Sequence, residues 1–277
     1  MIETILLPSD FSATATNAGL YAIELANQIG AKKVVVYHTY EAASVSEPLS
    51  ASLTQRLITE PFKQKSAAQL NEFVDLLNTK NTTNVAIEAF HSYAELKDAM
   101  NELIKATNAQ LIVMGITGGG KLKEALVGSN SVTVAKSSNI PVMIVPTEAG
   151  YKHIGKILLL SDLKDIEQTS PVDAIKNVLD VTKAELYILN VTNNIDKAAE
   201  SEGKQQLESL LANYTPSFHF MTNSDFGAAV DSFVKDREID MVIVVPKKQG
   251  IFESIFSVNH TKTLAFHSKV PLMAIKH

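Results

Sequence analysis

Cysteine is absent from all 277 residues, which excludes disulfides, thiolate nucleophiles and cysteine-ligated metals at the outset. Histidine occurs seven times, and never in a metal-binding spacing such as His-Glu-x-x-His. No Gly-x-Ser-x-Gly elbow is present to mark a hydrolase nucleophile. Positive charge is not in excess: 25 Lys and Arg against 30 Asp and Glu leave a net charge of −5. Such a chain has no basic field to draw in nucleic acid or an anionic membrane. Long apolar runs are missing too, none approaching the ~20 residues of a membrane span. The chain begins at once with the strand-like Ile5-Leu6-Leu7 and shows no signal-peptide pattern, so a cytoplasmic setting is expected.

What remains is ordinary in amount and specific in arrangement. Hydrophobic residues make up 45% and charged residues 20%, enough for sizeable cores, and the length predicts two domains. A short β run over 4–7 breaks at Pro8-Ser9-Asp10. Ser12 or Thr14 is placed to cap a helix reaching about Ile29, and Gly30-Ala31 closes it. A Val-rich strand follows over 33–37. Residues 40–60 carry little periodicity and read as a long loop. Helices over 61–77, 94–107 and 132–137 then alternate with strands over 85–90, 111–114 and 142–145. Alternating apolar strands and helices predict an α/β fold, a parallel sheet with helices on both faces. Ligands in such sheets bind at the carboxyl ends of the strands. Asp10, Thr39 and Gly115 all fall on that edge.

The pattern then repeats. Ile157-Leu158-Leu159-Leu160-Ser161-Asp162 echoes Ile5-Leu6-Leu7-Pro8-Ser9-Asp10. Val270-Pro271-Leu272-Met273-Ala274-Ile275 echoes Ile140-Pro141-Val142-Met143-Ile144-Val145. Strands over 184–191, 217–221 and 240–244 and a helix over 226–237 match elements of the first half. Two copies of one fold are expected, at 1–147 and 153–277, joined by a linker.

The stretch after Leu111–Met114 carries the chemistry. Gly115, Gly118, Gly119 and Gly120 follow a buried strand, and Gly128-Ser129 precedes a helical run. Glycines let a backbone approach a ligand closely. Gly-Ser at a helix entry aims N–H groups, a hydroxyl and the positive end of the helix dipole at one point. A polyphosphate suits that arrangement; a glycine-rich surface turn is the plain alternative. Gly115–Lys121 also fits seven positions of a P-loop, but Leu122 stands where the Mg²⁺-holding hydroxyl belongs.

Gly115, two residues, Gly118, nine residues, then Gly128-Ser129 resembles the nucleotide-binding signature of the universal stress protein family. Lys121 and Glu124 inside the loop and Pro141-Val142 opening the last strand strengthen the resemblance. It implies two doubly wound, Rossmann-like five-stranded sheets of order 3-2-1-4-5, and ATP or another adenine nucleotide, with or without Mg²⁺, in the first half. It implies that Asp10, with Pro8 and Ser9 beside it, lies near the base or ribose. Thr39 would meet the adenine through its backbone and Met114 would pack on the base. Gly115, Gly118, Gly128, Ser129, Asn130 and Ser131 would hold the phosphates. Each also has a plain role: Asp10 as a helix cap, Met114 as core, Ser129 as an N-cap.

Aligning Pro271 with Pro141 places Val245, Lys248, Val258 and Asn259 where Gly115, Gly118, Gly128 and Ser129 stand. The second copy is expected to keep the fold and lose the nucleotide. The resemblance further implies pairing of the halves through their last strands, a homodimer, and nucleotide-dependent signalling or stress tolerance without a catalytic residue. A scaffold that binds no nucleotide and a slow ATPase remain alternatives.

Overall fold

A computed structural model describes residues 1–40, 60–94, 96–116, 129–166, 170–222, 225–246 and 270–276. Ten strands form one sheet: β1 Thr4–Pro8, β2 Lys33–Tyr40, β3 Ala86–Tyr93, β4 Leu111–Ile116, β5 Val142–Pro146, β6 Lys156–Leu160, β7 Glu185–Val191, β8 Ser217–Met221, β9 Met241–Val244 and β10 Leu272–Ala274. Their spatial order is β3-β2-β1-β4-β5-β10-β9-β6-β7-β8. Each half therefore has the expected 3-2-1-4-5 order. The two five-stranded sheets pair through their last strands, as expected, into one. They join at β5 and β10, the antiparallel pair in an otherwise parallel sheet, with Met273 opposite Met143 and Leu272 opposite Ile144. Met143 and Met273 are both buried, so the junction is core.

The strands form because they are continuous apolar runs: Ile5, Leu6, Leu7, Val34, Val35 and Val36 are fully buried, as strands covered on both faces must be. Helices α1 Ala13–Ile29 and α2 Glu60–Asn78, with α5 Val172–Thr182 and α7 Glu202–Leu210 of the second half, contribute to a core on one face. Helices α3 Leu96–Thr107, α4 Ser129–Ser137 and α8 Phe226–Arg237 cover the other. The short α6, Ile195–Ala199, lies near β8 and buries no residue. Both cores run unbroken from one half into the other. Among the described residues no helix is long and apolar enough to cross a membrane.

Helix α1 starts where expected. Ser12 has extended φ/ψ and accepts from the Ala15 N–H, and Gly30 ends the helix at φ 69°. The second strand runs three residues beyond 37, because His38, Thr39 and Tyr40 pair in register with His91, Ser92 and Tyr93. The loop expected over 40–60 lies outside the described residues, apart from Tyr40 in β2 and Glu60 in α2.

The stretch expected as a linker is held on both sides. Asn17 Nδ2 donates to the Pro146 and Ala149 carbonyls, both at 3.0 Å. Gln28 accepts from the Ile154 N–H and the Tyr151 hydroxyl. Asp240 Oδ2 accepts from the N–H groups of Gly155 and Lys156 at 2.9 and 2.8 Å.

Tyr151 packs edge-on against Tyr21, with ring centroids 5.0 Å apart. Burial, helped by the charge of Glu24, pushes the Tyr151 phenol up to about 12. Burial also holds Tyr21 well above the ordinary tyrosine range. The folded state thus retains protons that the unfolded chain releases near pH 10. Their stabilising contribution is complete below about pH 10 and is lost as pH rises through about 12. Melting temperature is expected to fall across that window, and Tyr151→Phe is expected to flatten the fall; an unchanged slope would remove Tyr151 from the account.

Candidate functional site

Strand order reverses between β1 and β4, and this is where an open α/β sheet leaves a crevice at its carboxyl edge. The turn after β1 forms one wall. Ser9 is buried; its N–H donates to the Tyr37 carbonyl at 2.9 Å and its Oγ accepts from the Phe11 N–H at 3.1 Å. Phe11 takes φ 61°, a left-handed conformation that reverses the chain within one residue. Asp10 is exposed, and its Oδ1 accepts from the Ser12 N–H at 3.0 Å. The carboxylate therefore closes the turn, while the N-cap of α1 is Ser12. Pro8 is buried as the last residue of β1.

Strand β4 and helix α4 form the other wall. The Ser131 hydroxyl donates to the Gly115 carbonyl at 2.7 Å, joining the two ends of the glycine-rich segment. A Cβ on Gly115 would lie 2.5 Å from the Thr14 carbonyl oxygen and 2.7 Å from Thr14 Cγ2. The close approach that demands glycine here is thus the first turn of α1. Thr147 bridges the walls, its Oγ1 lying 3.1 Å from Thr14 Oγ1 and 3.2 Å from the Ile116 carbonyl. Met114 is core, buried in the same cluster as Val134 and Ile144.

Of the residues singled out in the sequence, Ser9 and Asp10 build the turn after β1, and Gly115 and Ser131 join β4 to α4 through their hydrogen bond. Thr39 is half-buried near the end of β2, paired with Ser92. Asn130 is exposed in the first turn of α4. Gly118 and Gly128 lie outside the described residues, as does the side chain of Ser129. Sequence reasoning missed Thr147 and His38, and offered Thr14 only as a helix cap. His38 Nδ1 sits 2.7 Å from the Ser9 carbonyl oxygen, and its ring packs on Phe11 at 4.4 Å. The alternation Val34, Val36, His38 was the available signal, since it puts His38 on the face of α1 and α2.

The second half repeats the turn bond for bond. Ser161 N–H donates to the Leu189 carbonyl, Ser161 Oγ accepts from the Leu163 N–H, and Asp162 Oδ1 accepts from the Lys164 N–H. Leu163 has φ 56°. Asn190 replaces His38 and donates to the Ser161 carbonyl at 2.8 Å. The cavity there measures about 20 Å³ and is lined by Ser161, Asp162, Ile175 and Val245, room for about one water. Residues 247–269 lie outside the described residues.

A profile of the universal stress protein family matches residues 1–146. The chain belongs to this family. Two universal stress proteins of Methanocaldococcus jannaschii are similar to it: MJ0531, 26% identical over 152 residues, and MJ0577, 29% identical over 161. Each match takes in 52% of this chain, and 82% and 95% of the respective relative. The crystal structure of a universal stress protein from Archaeoglobus fulgidus matches the whole fold with a TM-score of 0.72 at 18% identity, covering 100% of this chain and 99% of that one. The fold of the whole described chain is thus shared with that structure.

Proposed function

We propose that this universal stress protein binds one adenine nucleotide, ATP foremost, with or without Mg²⁺, in residues 1–147. In this reading residues 153–277 carry the fold without a nucleotide, and the protein works in the cytoplasm by nucleotide-dependent signalling or stress tolerance rather than by catalysis. One observation supports it above others. Gly115 and Ser131, which bracket the segment with the Gly115, Gly118, Gly128-Ser129 spacing, are hydrogen-bonded at the switch point, where Gly115 packs on the first turn of α1. Backbone N–H groups of the α4 N-terminus are suited to phosphate there.

A second reading has its own support. Gly115 is required by packing on Thr14, Met114 is core, and the Ser131 hydroxyl is already engaged. A scaffold without nucleotide would keep all three.

Calorimetric titration with ATP, ADP and AMP separates the two readings, beside Gly118→Val and Gly128→Val, which leave the Gly115 packing untouched. One saturable site per chain, lost in both variants with the melting temperature preserved, is the expected result. No heat of binding up to about millimolar ATP, an affinity of only ~4 kcal/mol, would leave the scaffold.

A further inference from the structure

Two histidines that the nucleotide reading leaves unused stand on neighbouring strands of the same edge. His38 of β2 and His91 of β3 are in-register partners, and strand alternation puts both rings on the face covered by α1 and α2. Neighbouring strands lie about 5 Å apart, so the two imidazoles start side by side.

Each ring is fixed through Nδ1. The Ser9 carbonyl oxygen, 2.7 Å from His38 Nδ1, can only accept. His38 therefore carries its proton on Nδ1, and in the neutral ring Nε2 presents a lone pair. His91 Nδ1 lies 2.7 Å from Ser66 Oγ on α2. Strand β2 lies between β1 and β3. Tying Nδ1 to Ser9, on the β1 side, turns Nε2 of His38 toward β3 and His91. Among the described residues no hydrogen bond engages either Nε2.

An imidazole whose rear nitrogen is held by a carbonyl, as in His38, has its tautomer and orientation set as a metal ligand's are; the Ser66 hydroxyl, which can donate or accept, orients His91 and accepts from Nδ1–H when Nε2 takes a metal. Phe11 at 4.4 Å from His38 and Tyr40 at 5.5 Å from His91, centroid to centroid, buttress the rings. Burial, then His38, then Lys63 hold His91 below the ordinary histidine range. Lys63 is exposed on the first turn of α2, where its ammonium can turn to solvent.

We propose that His38 and His91 bind one divalent transition ion, of the Zn²⁺ and Cu²⁺ class that favours imidazole, through Nε2 of each ring. Among the described residues no group of three or more His, Asp or Glu could hold a metal. The described residues accordingly supply two protein ligands, and a site of this kind exchanges its ion rather than holding the fold together. It does not depend on nucleotide binding.

The test uses the full chain with one equivalent of Cu²⁺ in chelator-free buffer, read by pulsed electron paramagnetic resonance. Two coupled imidazoles per ion are expected. His38→Ala and His91→Ala should each reduce this to one and weaken binding by about tenfold or more. His153→Ala and His219→Ala should change nothing. One coupled imidazole or none in the unaltered protein would overturn the proposal without recourse to any variant. So would a two-imidazole signal that survives both substitutions.

Discussion

Gly115→Ala is expected to lower stability by roughly 3 kcal/mol, the upper end of the cost of overpacking a core. The added Cβ would lie 2.5 Å from the Thr14 carbonyl oxygen and 2.8 Å from its carbonyl carbon, and both are backbone atoms that no rotamer change moves. Helix α1 cannot retreat, because Asn17 ties it to Pro146 and Ala149 and Thr14 meets Thr147. Strand β4 cannot retreat either, with Ile5 and Leu6 of β1 on one side and β5 on the other. Urea titration checks the prediction, with Gly30→Ala as control. Gly30 has φ 69° and nothing within 4 Å of an added Cβ, so alanine there costs only the left-handed strain of about 1 kcal/mol. Equal losses in the two variants would show that the α1 contact yields.

That contact marks the boundary of what the sequence discloses. Gly115 stands out in a linear reading because it follows an apolar strand, and a ligand is the ready explanation for a glycine there. The atom it accommodates belongs to Thr14, about a hundred residues away, and no local pattern signals that meeting. Position 245 confirms that the requirement comes from this packing and not from the strand itself. The second half carries Val245 there, and Val245 lines the small cavity with Ser161 and Ile175.

Other parts were legible for physical reasons. Strands buried on both faces must be apolar runs, so 4–7, 33–37 and 111–114 announced themselves. The likeness of 157–162 to 5–10 gave the duplication, and the turn it encodes recurs with the same three hydrogen bonds. The last three residues of β2 were not legible, because His38, Thr39 and Tyr40 pair only by virtue of β3. The apolar faces of α5 and α7 went unread as well: Ile175, Val178, Leu179 and Leu207 are buried against strands of the second half.

The connection between the halves misled in the opposite direction, and it carries the second large effect. Thr147, Glu148, Gly150 and Lys152 have the composition of a flexible linker. The anchors are side chains elsewhere, chiefly Gln28, whose Oε1 accepts from the Ile154 N–H at 2.9 Å and the Tyr151 hydroxyl at 2.5 Å. Its Nε2 donates to the Ile154 carbonyl at 3.0 Å. Ile154 is fully buried, so Gln28→Ala leaves both of its backbone groups without these partners, at about 1–3 kcal/mol for each buried group left unpaired. A loss of about 3 kcal/mol is expected, together with faster amide exchange at Ile154. Gly155 and Lys156, held independently by Asp240, should keep their protection. Gln28→Glu keeps the acceptor for the Ile154 N–H and the Tyr151 hydroxyl but sets a carboxylate oxygen against the Ile154 carbonyl oxygen, which repels it, so a loss is expected there too. If Gln28→Ala instead moved stability by less than about 0.5 kcal/mol, the range of surface substitutions, the segment would be the linker its composition suggests. The halves would then be held by the β5–β10 junction and the shared cores alone.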